Sequence, residues 1–261
     1  MFEHDLNDRW IRKDGWVKDL TRTHDPEELS KLIIKRIQYS TTVGPSLRHS
    51  DKETPIDILV SFIEKKDDFR KKLTPAIGLI LYKMINDEMK EDNEILRGVF
   101  DLIHGARLTD CYKLVRKWTL KRNELLASEK DNEQLLYRGA MMALARIQPK
   151  DKDLESYWMV IWRGDKTAYW RAAFTGLRLQ NPDTAIQEIP RLIERNDEKT
   201  SYLLRAMLAN EDSKPLLEKA LRFGIDNGEL WSAKSLNLIL KDIDEKTKTE
   251  VLGDIQKVSM N

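Results

Sequence analysis

Length, composition and charge are those of a globular chain. It has 261 residues, of which 41% are hydrophobic and 34% charged, and its formal net charge is +1. The charge is even along the chain, which excludes a global electrostatic field that would attract nucleic acid or anionic lipid. The single cysteine, Cys111, excludes an internal disulfide framework and a cysteine-based zinc site.

The terminus and the apolar runs predict a cytoplasmic protein with no membrane contact. The residues Met1 to Asp5 are charged and lack the apolar core of a signal peptide. The apolar run from Ile77 to Tyr82 is far shorter than the roughly 20 residues that a membrane-spanning helix requires.

Hydrophobic residues recur with the helical period along most of the chain, and no stretch alternates with period two long enough for a strand. The sequence therefore predicts an all-α fold. Helix starts are indicated at Asp25-Pro26, Thr54-Pro55 and Thr74-Pro75, because proline fits the first turn of a helix. After one or two short helices in 5–20, the predicted helical segments are 25–44, 54–63, 74–85, 92–104, 109–128, 132–147, 153–163, 166–179, 183–195, 198–210, 213–223, 228–240 and 245–258.

One pattern of eight residues occurs twice, and a fainter copy precedes it. Residues 137–144 and 170–177 both contain an aromatic residue, Arg, a small residue, Ala, three variable residues and Leu, and the fainter copy is 97–103. The arginines Arg138 and Arg171 are 33 residues apart. Such a recurrence is typical of stacked helical repeats, in which small residues allow a neighbouring helix to approach and leucines fill the remaining space.

The pattern resembles the HEAT and armadillo class of α-solenoids, in which an Arg followed by a small residue and a Leu recurs on the first helix of each hairpin. The match is good at Arg138 and Arg171, and poor at Arg205 and around Trp231. The resemblance implies a right-handed α-solenoid of stacked helical hairpins at 55–261, preceded by an N-terminal helical cap at 1–54. The boundary falls in a polar segment, and one continuous domain is the alternative.

The sequence contains no strong motif for catalysis, a cofactor or a metal. It has no Gly-rich phosphate loop, no His-Glu-x-x-His and no Gly-x-Ser-x-Gly. His4-Asp5 and His24-Asp25 resemble the His-Asp pairs of metal-dependent phosphohydrolases, but the further ligands of those enzymes are missing beside them. We therefore predict no catalytic, cofactor-binding or metal-binding residue.

The predicted helix 109–128 has one basic and one apolar face. The segment from Arg107 to Arg122, with both ends included, has six basic side chains and one acidic side chain. At about 100° per residue, one face is apolar: Cys111, Leu114, Val115, Trp118 and Leu125. The opposite face and its continuation form a candidate site: Lys113, Arg116, Lys117, Leu120 and Lys121. This face is either a solvated surface, as charge runs usually are, or a docking patch with Leu120 as an apolar anchor.

A second candidate is the aromatic cluster that includes Trp158, Trp162 and Trp170. The segment 154–162 is apolar on nearly every side, which is typical of a buried helix. Core packing is therefore one interpretation of these rings. The alternative is a recognition surface built with Arg163, because Trp, Tyr and Arg dominate interface hot spots.

Three classes of function compete. The first is a non-catalytic scaffold or regulatory module that binds a protein partner in the concave groove of a repeat array. The second is a HEAT-like enzyme of the DNA alkylation-repair glycosylase type, which holds a duplex with tryptophans, an Asp and an Arg. Its family arrangement Trp-Trp-Asp is missing here, and the corresponding residues would be Trp158, Trp162, Trp170, Asp165 and Arg171. The third is a HEAT-like phycobilin lyase, which only the fold favours.

The resemblance also predicts where a partner binds. If 92–104 and 132–147 are first helices of their hairpins, then 109–128 and 153–163 are second helices on the concave side. The basic and aromatic helices would then be neighbours, and an apolar centre with a basic rim suits an acidic protein partner. The predicted contacts are Lys113, Arg116, Lys117, Leu120, Lys121, Trp158, Trp162 and Arg163. Nucleic acid is the alternative partner.

Overall fold

The computed structural model describes residues 19–20, 22–42, 55–90, 92–185 and 187–188, and the elements in these ranges are all helical, with no strand among them. The all-α prediction is confirmed for these residues. None of their helices is long and apolar enough to cross a membrane. The predicted helices beyond residue 188, the segment 44–54 and most of the N-terminal cap lie outside the described ranges.

Contacts between Cα atoms divide the chain into two compact units, Met1–Gln148 and Pro149–Asn261. In the described part of the first unit the α-helices are α1 (Pro26–Thr42), α2 (Pro55–Lys65), α3 (Asp67–Ile85), α4 (Asn93–Ala106), α5 (Tyr112–Lys121) and α6 (Asp131–Ile147). In that of the second unit they are α7 (Lys152–Arg163) and α8 (Trp170–Gln180), with helical residues again from Pro182.

The helices of the first unit pack in two layers. In one layer α4 packs against α2 and α6, and in the other α3 packs against α1 and α5. Each helix thus contacts the next but one along the chain, as the helices of stacked hairpins do. The right-handed solenoid, its cap and the boundary at residue 54 stay predictions.

Two helix starts follow the local signals in the sequence. The carboxylate of Asp25 accepts a hydrogen bond from Glu28 N at 3.0 Å, one residue before Pro26 opens α1. The carboxylate of Asp92 accepts from Glu94 N and Ile95 N at the start of α4. Each carboxylate satisfies amide groups that have no partner within the helix.

The start of α3 was predicted wrongly. The helix begins at Asp67, and Pro75 lies inside it. Asp67 and Asp68 in the first turn are favourable at the positive end of the helix, and the ring of Pro75 is exposed. The hydroxyl of Thr74, the residue before the proline, donates to the carbonyl oxygen of Arg70 one turn earlier at 2.6 Å. The carbonyl group that loses its helical donor at Pro75 is that of Lys71.

The predicted helix 109–128 is also wrong as a single element. A 3-10 turn at Thr109–Cys111 precedes α5, and a second one at Asn123–Ala127 follows it. At the end of α5 the hydroxyl of Tyr137 donates to the carbonyl oxygen of Thr119 at 3.0 Å. In a continuous helix that oxygen would accept from Asn123 N.

Small residues of the repeated pattern lie at helix contacts. A Cβ atom on Gly98 would lie 2.4 Å from Ile37 Cγ2 of α1, so α4 approaches α1 closely at this glycine. A Cβ atom on Gly139 would lie 3.8 Å from Phe100 Cβ of α4, which is an ordinary contact. In the second unit Ala172, at the corresponding place in α8, is fully buried.

Candidate functional site

Burial confirms the amphipathic character of α5. Val115 and Trp118 are buried, as is Cys111 just before the helix. The outer side consists of exposed Lys113, Lys117 and Lys121, half-buried Arg116 and Leu120, which is 37% exposed. These five residues are called the basic face below. Partner binding by them stays a prediction.

Aromatic packing determines the rotation of α5 about its axis. The indole of Trp118 lies 4.9 Å from the ring of Phe100 on α4 and 6.3 Å from that of Tyr137 on α6, between ring centroids. Such pairs add about 0.5–1.5 kcal/mol to the burial of their area. With Trp118 held inside, the lysines on the opposite side must face outwards.

Two lysines of the basic face reach the end of the neighbouring helix α3. Lys117 Nζ donates to Asn86 Oδ1 at 3.3 Å, and Lys121 Nζ donates to the carbonyl oxygen of Ile85 at 3.5 Å. Helix C-termini favour cations because their carbonyl groups carry partial negative charge. The ammonium groups thus lie where α3 and α5 meet, and they also cap α3.

The contacts between α3 and α5 show that the two helices run in the same direction. A Cβ atom on Gly78 would face Leu114 at 3.8 Å, and eight residues later Asn86 faces Lys117. Tyr82, midway between Gly78 and Asn86, is therefore level with the central turn of α5. Its side chain is 45% exposed. The outer surface of this pair of helices thus combines lysines with an exposed aromatic ring.

Tyr82 was not among the residues predicted from sequence. It belongs to the apolar run 77–82, and its neighbours Ile80 and Leu81 are buried. Around the helix axis, Tyr82 is about 40° from Asn86 but 100° or more from Leu81 and Ile80. This angular position could have predicted that the Tyr82 side chain is exposed. The partner helix that adjoins it is visible only in the structure.

Acidic side chains border this surface at both ends. Asp110 precedes α5, Asp87 and Glu88 follow α3, and all three carboxylates are exposed. Each end therefore mixes carboxylates with basic residues, Arg107 near Asp110 and Lys90 near Glu88, whereas the middle carries lysines. A short anionic ligand would meet the lysines, whereas a long polyanion would also meet these acids.

Trp158 and Trp162 of the predicted contact set lie in the interior of the second unit, with 0% and 5% of their area exposed. Trp158 packs on Gly176 of α8, where an added Cβ atom would lie 2.3 Å from the indole. Trp162 contacts Phe174 and Trp170, with centroids 5.0 and 5.8 Å apart. This geometry agrees with the core interpretation, and the surface proposed below omits both rings.

Arg163, the last predicted contact, forms an ion pair within the second unit. Its Nη2 donates to Glu188 Oε1 at 2.5 Å, and the Glu188 side chain is only 8% exposed. The hydrogen bond to Glu188, and then its charge, raise the pKa of Arg163. The basic face and Arg163 belong to different units, so their predicted adjacency stays a prediction.

The described residues contain no group of three or more His, Cys, Asp or Glu side chains arranged to hold a metal ion. Of the two His-Asp pairs, His4-Asp5 lies outside these residues, and Asp25 of the other pair caps α1. Burial, and then the charge of Asp110, raise the pKa of the Cys111 thiol to about 12. A thiol with such a pKa is protonated at neutral pH, and the thiolate is the nucleophile.

Comparison of the chain with protein-family models, with curated proteins and with solved structures found no match.

Proposed function

We propose that this protein is a non-catalytic scaffold or regulatory module, and that its basic face binds an acidic segment of a protein partner. The observation that carries the proposal is the outward arrangement of Lys113, Lys117 and Lys121 around partly exposed Leu120. Charges at the rim of an interface speed encounter and select partners, while apolar contacts supply affinity.

The packing beneath the face supports this role. The buried indole of Trp118 determines which side of α5 faces outwards. Lys117 and Lys121 on that side also reach the end of α3, at 3.3 and 3.5 Å from their acceptor atoms. Because the rotation of α5 is fixed before binding, the helix itself loses less conformational entropy on binding than a mobile segment would. We propose that stacked helical hairpins of a HEAT-like solenoid present this face to the partner.

A DNA-binding enzyme of the alkylation-repair glycosylase type is the alternative that the sequence raised. It would need aromatic rings at the surface to grip a duplex. Trp158, Trp162 and Trp170 are each at most 5% exposed, while Asp165 and Arg171 are exposed. The alternative stays a prediction, and the burial of the rings gives it no support.

Affinity purification of the full chain from the native host, followed by mass spectrometry, tests the proposal. The variant Lys113→Glu/Arg116→Glu/Lys117→Glu should lose the partner that the parent protein retains, because three attractions become repulsions. A matched control, Lys150→Glu/Lys152→Glu/Lys166→Glu, makes the same charge change at exposed lysines of the second unit and should keep it.

The result against the proposal is a partner retained equally by the parent and by the basic-face variant. Nucleic acid that copurifies with the parent, and that high salt removes, would instead favour the DNA-binding alternative. Circular dichroism and thermal melting of each variant check that the fold is intact, since Lys117 also contacts Asn86 at the end of α3.

A further inference from the structure

The lysines on α5 form a row on its outer side that turns by about 40° from each lysine to the next. Lys113, Lys117 and Lys121 are four residues apart, so successive Cα atoms are separated by about 6 Å along the helix and the row is about 12 Å long. Residues four apart are neighbours on one side of a helix. The row is exposed along its length.

A partly exposed apolar side chain lies on each side of the row. Tyr82 of α3 is 45% exposed and Leu120 of α5 is 37% exposed. Tyr82 is on the side that α3 occupies. Leu120 is on the opposite side, because a rotation of about 100° per residue places it further from α3 than Lys117 is.

We infer that Tyr82 is an aromatic anchor of this surface, and that the occupant is an acidic amphipathic helix lying along α3 and α5. This inference rests on the proposed function. Acidic residues four apart on such a helix repeat every 6 Å or so, which matches the lysine row. Apolar residues next to these acids in sequence lie on either side of the acidic stripe, where Tyr82 and Leu120 can contact them.

The acids at the ends of the surface favour a short acidic helix over nucleic acid. Asp110 lies beyond one end of the row, and Asp87 and Glu88 lie near the other. A duplex carries a phosphate charge about every 1.7 Å of its axis, so it would extend past the row and meet these carboxylates. A partner helix with three acidic residues four apart carries negative charge only along the length of the lysine row.

Fluorescence anisotropy with the full chain and defined probes tests the inference. The first probe is an alanine-rich peptide of about 20 residues, long enough to form a helix, with glutamates four apart and leucines beside them. The second has the same composition with the glutamate spacing scrambled, and the third is a short DNA duplex. The first peptide should bind at least about tenfold more tightly than the other two, a difference of about 1.4 kcal/mol.

Variants of the chain test the lysine row and the anchor Tyr82 separately. Lys113→Glu/Lys117→Glu should abolish binding of the first peptide. Tyr82→Ala should weaken it about five- to tenfold, because aromatic anchors are frequent hot spots. Tyr82→Phe keeps the ring and should stay within about twofold of the parent. Leu179→Ala, at a side chain of the second unit that is 43% exposed, is the matched control and should change nothing.

Each contrary outcome has one meaning. If the lysine variant abolishes binding while Tyr82→Ala has no effect, or if both peptides bind equally, the inference fails and the proposed function stands. If neither peptide binds, or if the lysine variant binds the first peptide as tightly as the parent does, both the inference and the proposed function fail. Tighter binding of the duplex than of either peptide identifies the surface as a nucleic-acid site and overturns both.

Discussion

Gly176 of α8 lies against the indole of Trp158 on α7. A Cβ atom at residue 176 would be 2.3 Å from Trp158 Cε2 and 2.5 Å from two further ring atoms. Trp158 itself is completely buried. The two helices of this hairpin therefore approach each other as closely as they do only because residue 176 has no side chain.

We expect Gly176→Ala to destabilise the second unit by about 1–3 kcal/mol, since overpacking a core forces side chains or backbone to move. The alanine would gain about 1 kcal/mol in helix propensity, but the clash outweighs that gain. Gly139→Ala is the matched control, because its Cβ atom would lie at an ordinary 3.8 Å from Phe100. It should be neutral or stabilising in thermal melting. Equal melting temperatures for both variants would contradict the close approach.

Gln180 holds the segment before α7. Its Oε1 accepts from Asp151 N and its Nε2 donates to the carbonyl oxygen of Pro149, each at 2.6 Å. We expect Gln180→Leu to destabilise the second unit by about 1–3 kcal/mol, because both backbone groups lose their partner. Gln187→Leu, at an exposed glutamine, should change the urea midpoint little. The interpretation would be wrong if the two variants unfolded alike.

Ala140 tests the packing of the repeated pattern in the first unit. Its side chain is 0% exposed in α6, which packs against α4. Ala140→Leu should destabilise the protein by about 1–3 kcal/mol through overpacking. Ala127→Leu makes the same change at an exposed alanine and should be tolerated. Ala173→Leu in the second unit should destabilise in the same way as Ala140→Leu, because Ala173 is also 0% exposed, and thermal denaturation measures all three variants.

Cys111 should be unreactive in the native protein. The residue is 2% exposed, and its thiol has a pKa of about 12. We expect a thiol reagent at pH 8 to label no cysteine in the folded protein and one equivalent in denaturant, because only the exposed thiolate reacts. Rapid labelling without denaturant would show that the core opens at this position.

The same pKa predicts a loss of stability at alkaline pH. The folded-state pKa is raised from an ordinary 9.0 to about 12, so the unfolded chain releases the thiol proton first. The contribution of Cys111 to the free energy of unfolding is complete below pH 9 and is lost as the pH rises towards 12. Comparing the urea stability of the parent with that of Cys111→Ala at pH 7 and pH 10 isolates this effect. A constant difference between the two proteins would refute it.

Ser128 and Lys130 determine the titration of Glu133 at the start of α6. The Ser128 hydroxyl donates to Glu133 Oε2 at 2.6 Å, and Lys130 Nζ donates to Oε1 at 2.9 Å. These hydrogen bonds, that from Ser128 first, lower the pKa of Glu133. Because this pKa is lowered, the ionised Glu133 side chain stabilises the folded protein at neutral pH. That stabilisation is lost as the pH falls through the folded-state pKa. Ser128→Ala should move the pKa upwards in an NMR titration of the carboxyl carbon.

Several elements could be predicted because their signals are local. The cap at Asp92 is followed by α4, and Asp25-Pro26 by α1, as the capping rules require. The two faces of α5 follow from the helical period alone, so the outward position of Lys113 and the burial of Val115 were correct.

Tertiary contacts decided the rest. No local signal shows that the carbonyl oxygen of Thr119, near the end of α5, accepts from the hydroxyl of Tyr137, or that α3 continues through Pro75. The sequence left open whether Trp158 faces the core or a partner. Its indole packs on Gly176, 18 residues later, and that contact is visible only in the structure. The place of Tyr82 beside the lysine row depends likewise on the packing of α3 against α5. The sequence by itself determined the helices and their faces, because these depend on the order of neighbouring residues. The structure decided which faces meet, because that depends on shapes brought together from distant parts of the chain.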